Sequence, residues 1–207
     1  MKKEQKIVFF TLIVLCLAFV IGSSFYKSSQ TNETDNSLLI KDYSMKFGDD
    51  NAKVKLVEFF DPACGTCAQF YFLVEDLMHK HEGKIQLILR YAPFHKNSSE
   101  VVKILEAAKK QNMFKETLEA LFTTQEQWIN HHEVNPYAAW AIVSKLWLDV
   151  EKLKKDAQDP LIEMMIKQDL QDANTLHVNK TPSYFVNGKP LVKFGYKELV
   201  ELIESEL

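Results

Sequence analysis

Val54-Lys55-Leu56-Val57-Glu58-Phe59-Phe60-Asp61-Pro62-Ala63-Cys64-Gly65-Thr66-Cys67 is the stretch whose reading decides the fold. Its first seven residues are an apolar, β-rich run that stops at Asp61-Pro62, as a strand buried on both faces does. Beyond it Cys67, Phe70, Tyr71, Val74, Leu77 and Met78 recur at helical spacing, with Glu75, Asp76 and Lys80 largely opposite, until Gly83 closes the pattern. The spacing predicts a helix beginning at or just before Cys64. Ile85 to Tyr91 is a second strand-like run, and strand, helix, strand at this length predicts a right-handed parallel crossover.

The pair Cys64-Gly65-Thr66-Cys67 therefore sits where a buried strand gives way to a helix. Unpaired backbone N–H groups and the helix dipole there stabilise an anion, which favours a thiolate at Cys64. The thiolate is the attacking species in disulfide exchange. Cys67, one turn on, belongs to the buried stripe and is suited to resolving a mixed disulfide. Four other readings of the pair exist. A purely structural disulfide would close a very small loop and restrain the unfolded chain little. Zinc would need more ligands than His79 and His81, separated by two positions, or the adjacent His131-His132 supply. A Cu(I)-holding dithiol, or a chaperone-like use of the fold, would lack an obvious third ligand or turnover. No metal and no cofactor is expected.

From Asn97 to about Leu176 the pattern is helical throughout. Asn97-Ser98-Ser99-Glu100 has the form of a capping box, Met113, Phe114, Thr117, Leu118, Leu121 and Phe122 form one stripe, and Asn135-Pro136 and Asp159-Pro160 read as N-caps followed by proline. Trp128, Trp140 and Trp147 are expected in packing. Strand character returns over Ser183 to Val186, turns at Asn187-Gly188, resumes from Leu191 to Phe194, and yields to an amphipathic helix from Tyr196.

The whole chain has 207 residues, 46% of them apolar and 26% charged, which excludes disorder and fits one compact domain. A net charge of −3 leaves no basic excess for nucleic acid. Lys2, Lys3 and Lys6 precede an apolar run from Ile7 to Ile21 that continues to Tyr26; residues 1–26 read as a signal peptide or a retained membrane anchor, with the remainder exported. Cys16 lies in that run and is assigned no chemistry. Residues 27–42, rich in Ser, Thr and Asn, read as a tether.

Together the run from Val57 to Cys67, the helical block and Thr181-Pro182-Ser183-Tyr184-Phe185-Val186-Asn187-Gly188 resemble the DsbA family of thioredoxin-fold thiol–disulfide oxidoreductases. The resemblance spans residues 43–207. It implies an α/β thioredoxin-like core over about 43–95 and 177–207, with an inserted all-helical domain over about 96–176. It further implies that Pro182 is a cis-proline beside the dithiol, that Thr181 and Pro182 face the substrate, and that Glu58 is a buried acid near the inner cysteine. Cys64 would be the nucleophile, Cys67 the resolver, and Gly65 and Thr66 the redox spacer. Where many relatives carry His or Tyr between the cysteines this chain has only Gly65 and Thr66, and His177 and Lys180 stand where relatives often have glycine. The activity expected is donation of the Cys64–Cys67 disulfide to reduced exported proteins by a monomer in the bacterial cell envelope, with a membrane redox partner resetting the dithiol. A reductase or isomerase of the same fold is the alternative.

Overall fold

A computed structural model describes residues 36–207. The apolar leader, Cys16 and residues 27–35 of the expected tether lie outside the described residues. In chain order the elements are α1 (Asn36–Leu39), β1 (Met45–Phe47), β2 (Val54–Phe60), α2 (Gly65–Lys80), β3 (Ile85–Tyr91), α3 (Ser98–Lys109), α4 (Phe114–Thr123), α5 (Gln125–Trp128), β4 (Ile129–Asn130), β5 (Glu133–Val134), α6 (Pro136–Val143), α7 (Val150–Asp156), α8 (Pro160–Thr175), β6 (Ser183–Val186), β7 (Lys189–Pro190) and α9 (Tyr196–Glu204). No helix among the described residues is long and apolar enough to cross a membrane.

The main sheet has the order β1-β3-β2-β6-β7. Strands β2 and β3 are parallel, from Val54 opposite Ile85 to Phe60 opposite Tyr91, as the intervening helix requires. Strand β6 runs antiparallel to β2 and sets Tyr184 opposite Glu58. Because strand side chains alternate, this register assigns each residue a face. Leu56, Phe60, Leu87, Leu89, Tyr91, Tyr184 and Val186 share the core with the buried stripe of α2, namely Cys67, Phe70, Tyr71, Val74 and Leu77. Glu58, of the same parity as Leu56 and Phe60, faces this side. Val57, Phe59, Ile88 and Phe185 form the opposite face with Leu39, Ala173 and Val178.

The second face also holds a buried charge cluster. Arg90, fully buried, donates from Nε and Nη2 to Asp169 Oδ1 at 2.9 and 2.7 Å and from Nη2 to Asp172 Oδ2 at 2.6 Å. Its Nη1 donates to the carbonyls of Leu38 and Leu39 at 2.6 and 2.9 Å. Asp169 accepts in addition from the Tyr43 hydroxyl at 2.6 Å and the Tyr91 backbone N–H at 2.7 Å. This cluster draws the last residues of the expected tether onto the sheet: Leu39 is buried and α1 is helical, because Arg90 and the apolar face supply what the polar sequence lacks.

Four further expectations change. Asn97 adopts a left-handed φ of 64° and makes no cap hydrogen bond to α3, so no capping box forms. The helical run is interrupted by the small β4–β5 ribbon, whose turn residues His131 and His132 both have positive φ, as a tight hairpin turn demands. The last strand is β7, not Leu191–Phe194; Leu191 N–H still reaches the Tyr184 carbonyl at 2.9 Å, but Val192 is exposed beyond the sheet edge. Trp147 is 97% exposed, whereas Trp128 is buried and donates to the Leu121 carbonyl at 2.9 Å. The caps at Asn135 and Asp159 form as expected, accepting from the N–H groups of Ala138 and Leu161.

Candidate active site

Cys64 occupies the cap position of α2 with extended backbone (φ −85°, ψ 116°); its side chain makes no cap hydrogen bond of normal geometry, but its sulfur lies close enough to the N–H groups of Thr66 and Cys67 to feel them. The Cys67 thiol donates to it, and the Thr181 side chain and the N–H groups of Cys67 and Thr66 add to that hydrogen bond. These donors outweigh the cost of burial and bring the Cys64 thiol down from 9.0 to about 5. The Thr181 carbonyl, 3.3 Å from Sγ, accepts from the thiol and holds it beside the turn before β6. Cys67 is fully buried. Its thiol is pushed well above its usual value, first by burial, then by its hydrogen bond to Cys64 and the charges of Glu58 and Cys64. Both cysteines are free thiols.

Glu58 is 1% exposed, and burial raises its carboxyl from 4.5 to about 8, with the hydrogen-bonding influence of Tyr184 opposing and the Cys64 charge adding. Glu58 Oε2 and the Tyr184 hydroxyl, cross-strand neighbours, both lack a hydrogen-bond partner of normal geometry. Glu58 is therefore mainly protonated at neutral pH, on the same side of the sheet as Cys67. The Thr181-Pro182 bond is cis, Pro182 is buried, and Thr181 touches Cys64 from the turn before β6. The sequence-predicted residues Glu58, Cys64, Cys67, Thr181 and Pro182 thus converge. Gly65 is exposed and Thr66 half-buried at the start of α2, while His177, with a left-handed φ of 58°, and Lys180 are exposed loop positions.

Sequence reasoning passed over the residues that hold the loop before Cys64. Asp61, fully buried, accepts from Ala63 N–H at 2.9 Å, from His95 N–H and Nδ1 at 2.8 Å each, and from the Ser98 hydroxyl. Its carbonyl accepts from Cys64 N–H at 2.9 Å, and its own N–H favours the Cys67 thiolate. Gln125 Nε2 donates to the carbonyls of Pro62 and Cys64 at 2.9 and 3.2 Å. Asp61 carried a signal, an acid just before Pro in a strand-to-helix loop; Gln125, 61 residues from Cys64, carried none. Among the described residues no group of three or more His, Cys, Asp or Glu side chains could hold a metal ion.

A dithiol at the start of the helix that follows a central strand, a cis-proline against its outer cysteine, and a helical segment between crossover and cis-proline define a thioredoxin-fold dithiol protein of DsbA architecture. The family model described as Thioredoxin matches residues 41–205, and the chain belongs to that family. A protein of Bacillus anthracis described as "Probable disulfide bond formation protein D" is 26% identical over 219 residues, covering 100% of this chain and 99% of that one. An Na(+)/H(+) antiporter NhaA of Herminiimonas arsenicoxydans is 31% identical over 144 residues, 70% of this chain; the chain spans only 22% of the antiporter's length. The crystal structure of Wolbachia pipientis alpha-DsbA1 shares the fold with a TM-score of 0.71 at 20% identity, over 84% of this chain and 95% of that one.

Proposed function

We propose that the protein is a thiol–disulfide oxidoreductase of the bacterial cell envelope that passes its Cys64–Cys67 disulfide to reduced exported proteins. The observation that carries this reading is the asymmetry of the dithiol, with the Cys64 thiol at about 5 and the Cys67 thiol held well above its usual value. A stabilised Cys64 thiolate favours the reduced form, which makes the disulfide oxidising. A substrate thiolate attacks Cys64 Sγ, the S–S bond breaks, and Cys67 leaves with the electron pair and takes a proton, for which the protonated Glu58 is the nearby source. A second substrate thiolate then attacks the substrate sulfur of the mixed disulfide and Cys64 leaves as thiolate, a good leaving group. The backbone at Thr181 and Pro182 is placed to align an extended substrate segment. The core over 43–95 and 177–207 holds the reacting groups, and the segment over 96–176 braces them. Residues 1–26 place the domain on the exported side as anchor or signal, the protein works as a monomer, and a membrane redox partner reoxidises it. The relative named for disulfide bond formation supports this direction. The test is intact-mass analysis with thiol trapping after mixing the oxidised protein with a reduced peptide, together with equilibration against glutathione. Oxidation of the peptide and a potential between about −270 and −120 mV are expected. Ready reduction of insulin, no peptide oxidation and a potential at the lower limit would replace this reading with a reductase.

A further inference from the structure

Gly65, exposed, gives the dithiol no side chain at the first spacer position, and the nearest group beside it comes from the helical segment. A Cβ built on Gly65 would meet Gln125 Oε1 at 3.7 Å, an ordinary contact, as its nearest neighbour. The other end of the same amide donates from Nε2 to two carbonyls that flank the nucleophile's loop, Pro62 at 2.9 Å and Cys64 at 3.2 Å. The Cys64 carbonyl also accepts from Ala68 N–H at 3.1 Å, the first hydrogen bond of α2. Gln125 thus grips the peptide units on either side of the Ala63–Cys64 peptide, at the turn where the backbone passes from β2 into the helix. It is held there by its own surroundings: α5 begins at Gln125, and the next turn ends in the buried Trp128.

We propose that Gln125 is a positioning residue for Cys64, bracing from the helical segment the loop that a side-chain-free Gly65 leaves uncovered. The brace acts through geometry. Two donated hydrogen bonds fix the carbonyls of Pro62 and Cys64, and with them the orientation of the Cys64 Cα–Cβ bond. That orientation keeps Sγ over the N–H groups of Thr66 and Cys67 and beside Thr181. A loop free to rotate would spend part of its time with Sγ off these donors, and the thiolate would lose their support in proportion. The titrating groups that face Cys64 are Cys67, Glu58 and Tyr184, and none of them touches Gln125 through a hydrogen bond.

This inference rests on Cys64 being the nucleophile and is indifferent to the direction of exchange. Gln125→Met keeps the length and apolar contacts and removes both donors; Gln125→Glu replaces the donors with an acid opposite two carbonyls. Thiolate absorbance of the reduced full chain, titrated between pH 3 and 9, should show the Cys64 midpoint raised by about half to one pH unit in Gln125→Met, the size a lost hydrogen bond implies. It should be raised at least as far in Gln125→Glu. Iodoacetamide should alkylate Gln125→Met about three- to tenfold more slowly than the parent below that midpoint, with Gln127→Met, exposed on the same short helix, as control. An unchanged midpoint and alkylation profile in Gln125→Met overturns the proposal, even if thermal stability falls, because a merely structural contact would move the melting temperature alone. A parent protein whose Cys64 does not react at all would instead reject the nucleophile assignment beneath it.

Discussion

At Cys64 and Cys67 two identical side chains acquire opposite characters from three residues of separation. The first lies at a helix start among donors, the second in the apolar stripe of the same helix. In the reduced, folded protein Cys64 alone should be alkylated rapidly near pH 6, and Cys67→Ser should accumulate mixed disulfides that Cys64→Ser does not; mass spectrometry of trapped adducts reads both. Equal labelling of the two thiols would reverse their roles. Glu58 differs in kind, since its carboxyl, raised to about 8 by burial, holds a proton where Cys67 needs one. Glu58→Gln should slow the steps in which Cys67 leaves or attacks, by about 10- to 100-fold, while leaving alkylation of Cys64 nearly intact. The same substitution has a signature in stability. In the reduced protein the folded carboxyl titrates at about 8 and the unfolded one at 4.5, so Glu58 removes stability as pH rises from about 4.5 to 8, and Glu58→Gln should abolish that loss, read as the difference between the two reduced proteins' unfolding free energies against pH.

Strand β2, helix α2 and strand β3 could be read from sequence because their apolar periods are long and uninterrupted, and the dithiol came with them, since its place is the junction of two such elements. Pro182 was legible only through the family resemblance, as nothing local announces a cis bond. What sequence could not show was support delivered across long separations. Ser98 looked like part of a helix cap, yet its hydroxyl donates to Asp61, 37 positions earlier, while Asn97 takes a left-handed turn that removes it from capping. Leu191 still donates to Tyr184, but Val192 to Phe194 have strand character without a strand to pair with, so the last strand ends at Pro190. Asp61 is the residue through which α3 holds the loop before the dithiol. Asp61→Asn offers one acceptor oxygen where the carboxylate offers two, and should strand the donors of His95 or Ser98. A loss on the order of 2–4 kcal/mol in denaturant unfolding is expected. A loss below about half a kcal/mol would mean that the loop holds its own shape.

For the molecule as a whole, the redox state of one bond should be felt in global stability. The Cys64 thiol titrates at about 5 when folded and at 9.0 in an unfolded chain, so the reduced protein gains stability that is full above pH 9 and disappears as pH falls through about 5. The oxidised protein has no such thiolate. The reduced form should therefore melt at the higher temperature at pH 7, and the difference should shrink on acidification to pH 4; calorimetry of both forms checks it, and a gap independent of pH would mean that thiolate stabilisation does not set the redox balance. The Arg90 cluster has a mechanical meaning as well. Arg90 reaches from β3 to the carbonyls of Leu38 and Leu39, and its carboxylate partners lie on α8, on the side of the sheet away from Cys67. Any pull on the chain at Asn36 is thus taken up as shear by a guanidinium clamp on the far face and spread into β3 and α8. Glu58, Cys67 and Tyr184 lie on the other face of the sheet from that clamp, so a pull on the leading end of the domain reaches the reacting groups only through the backbone pairing of β3 with β2.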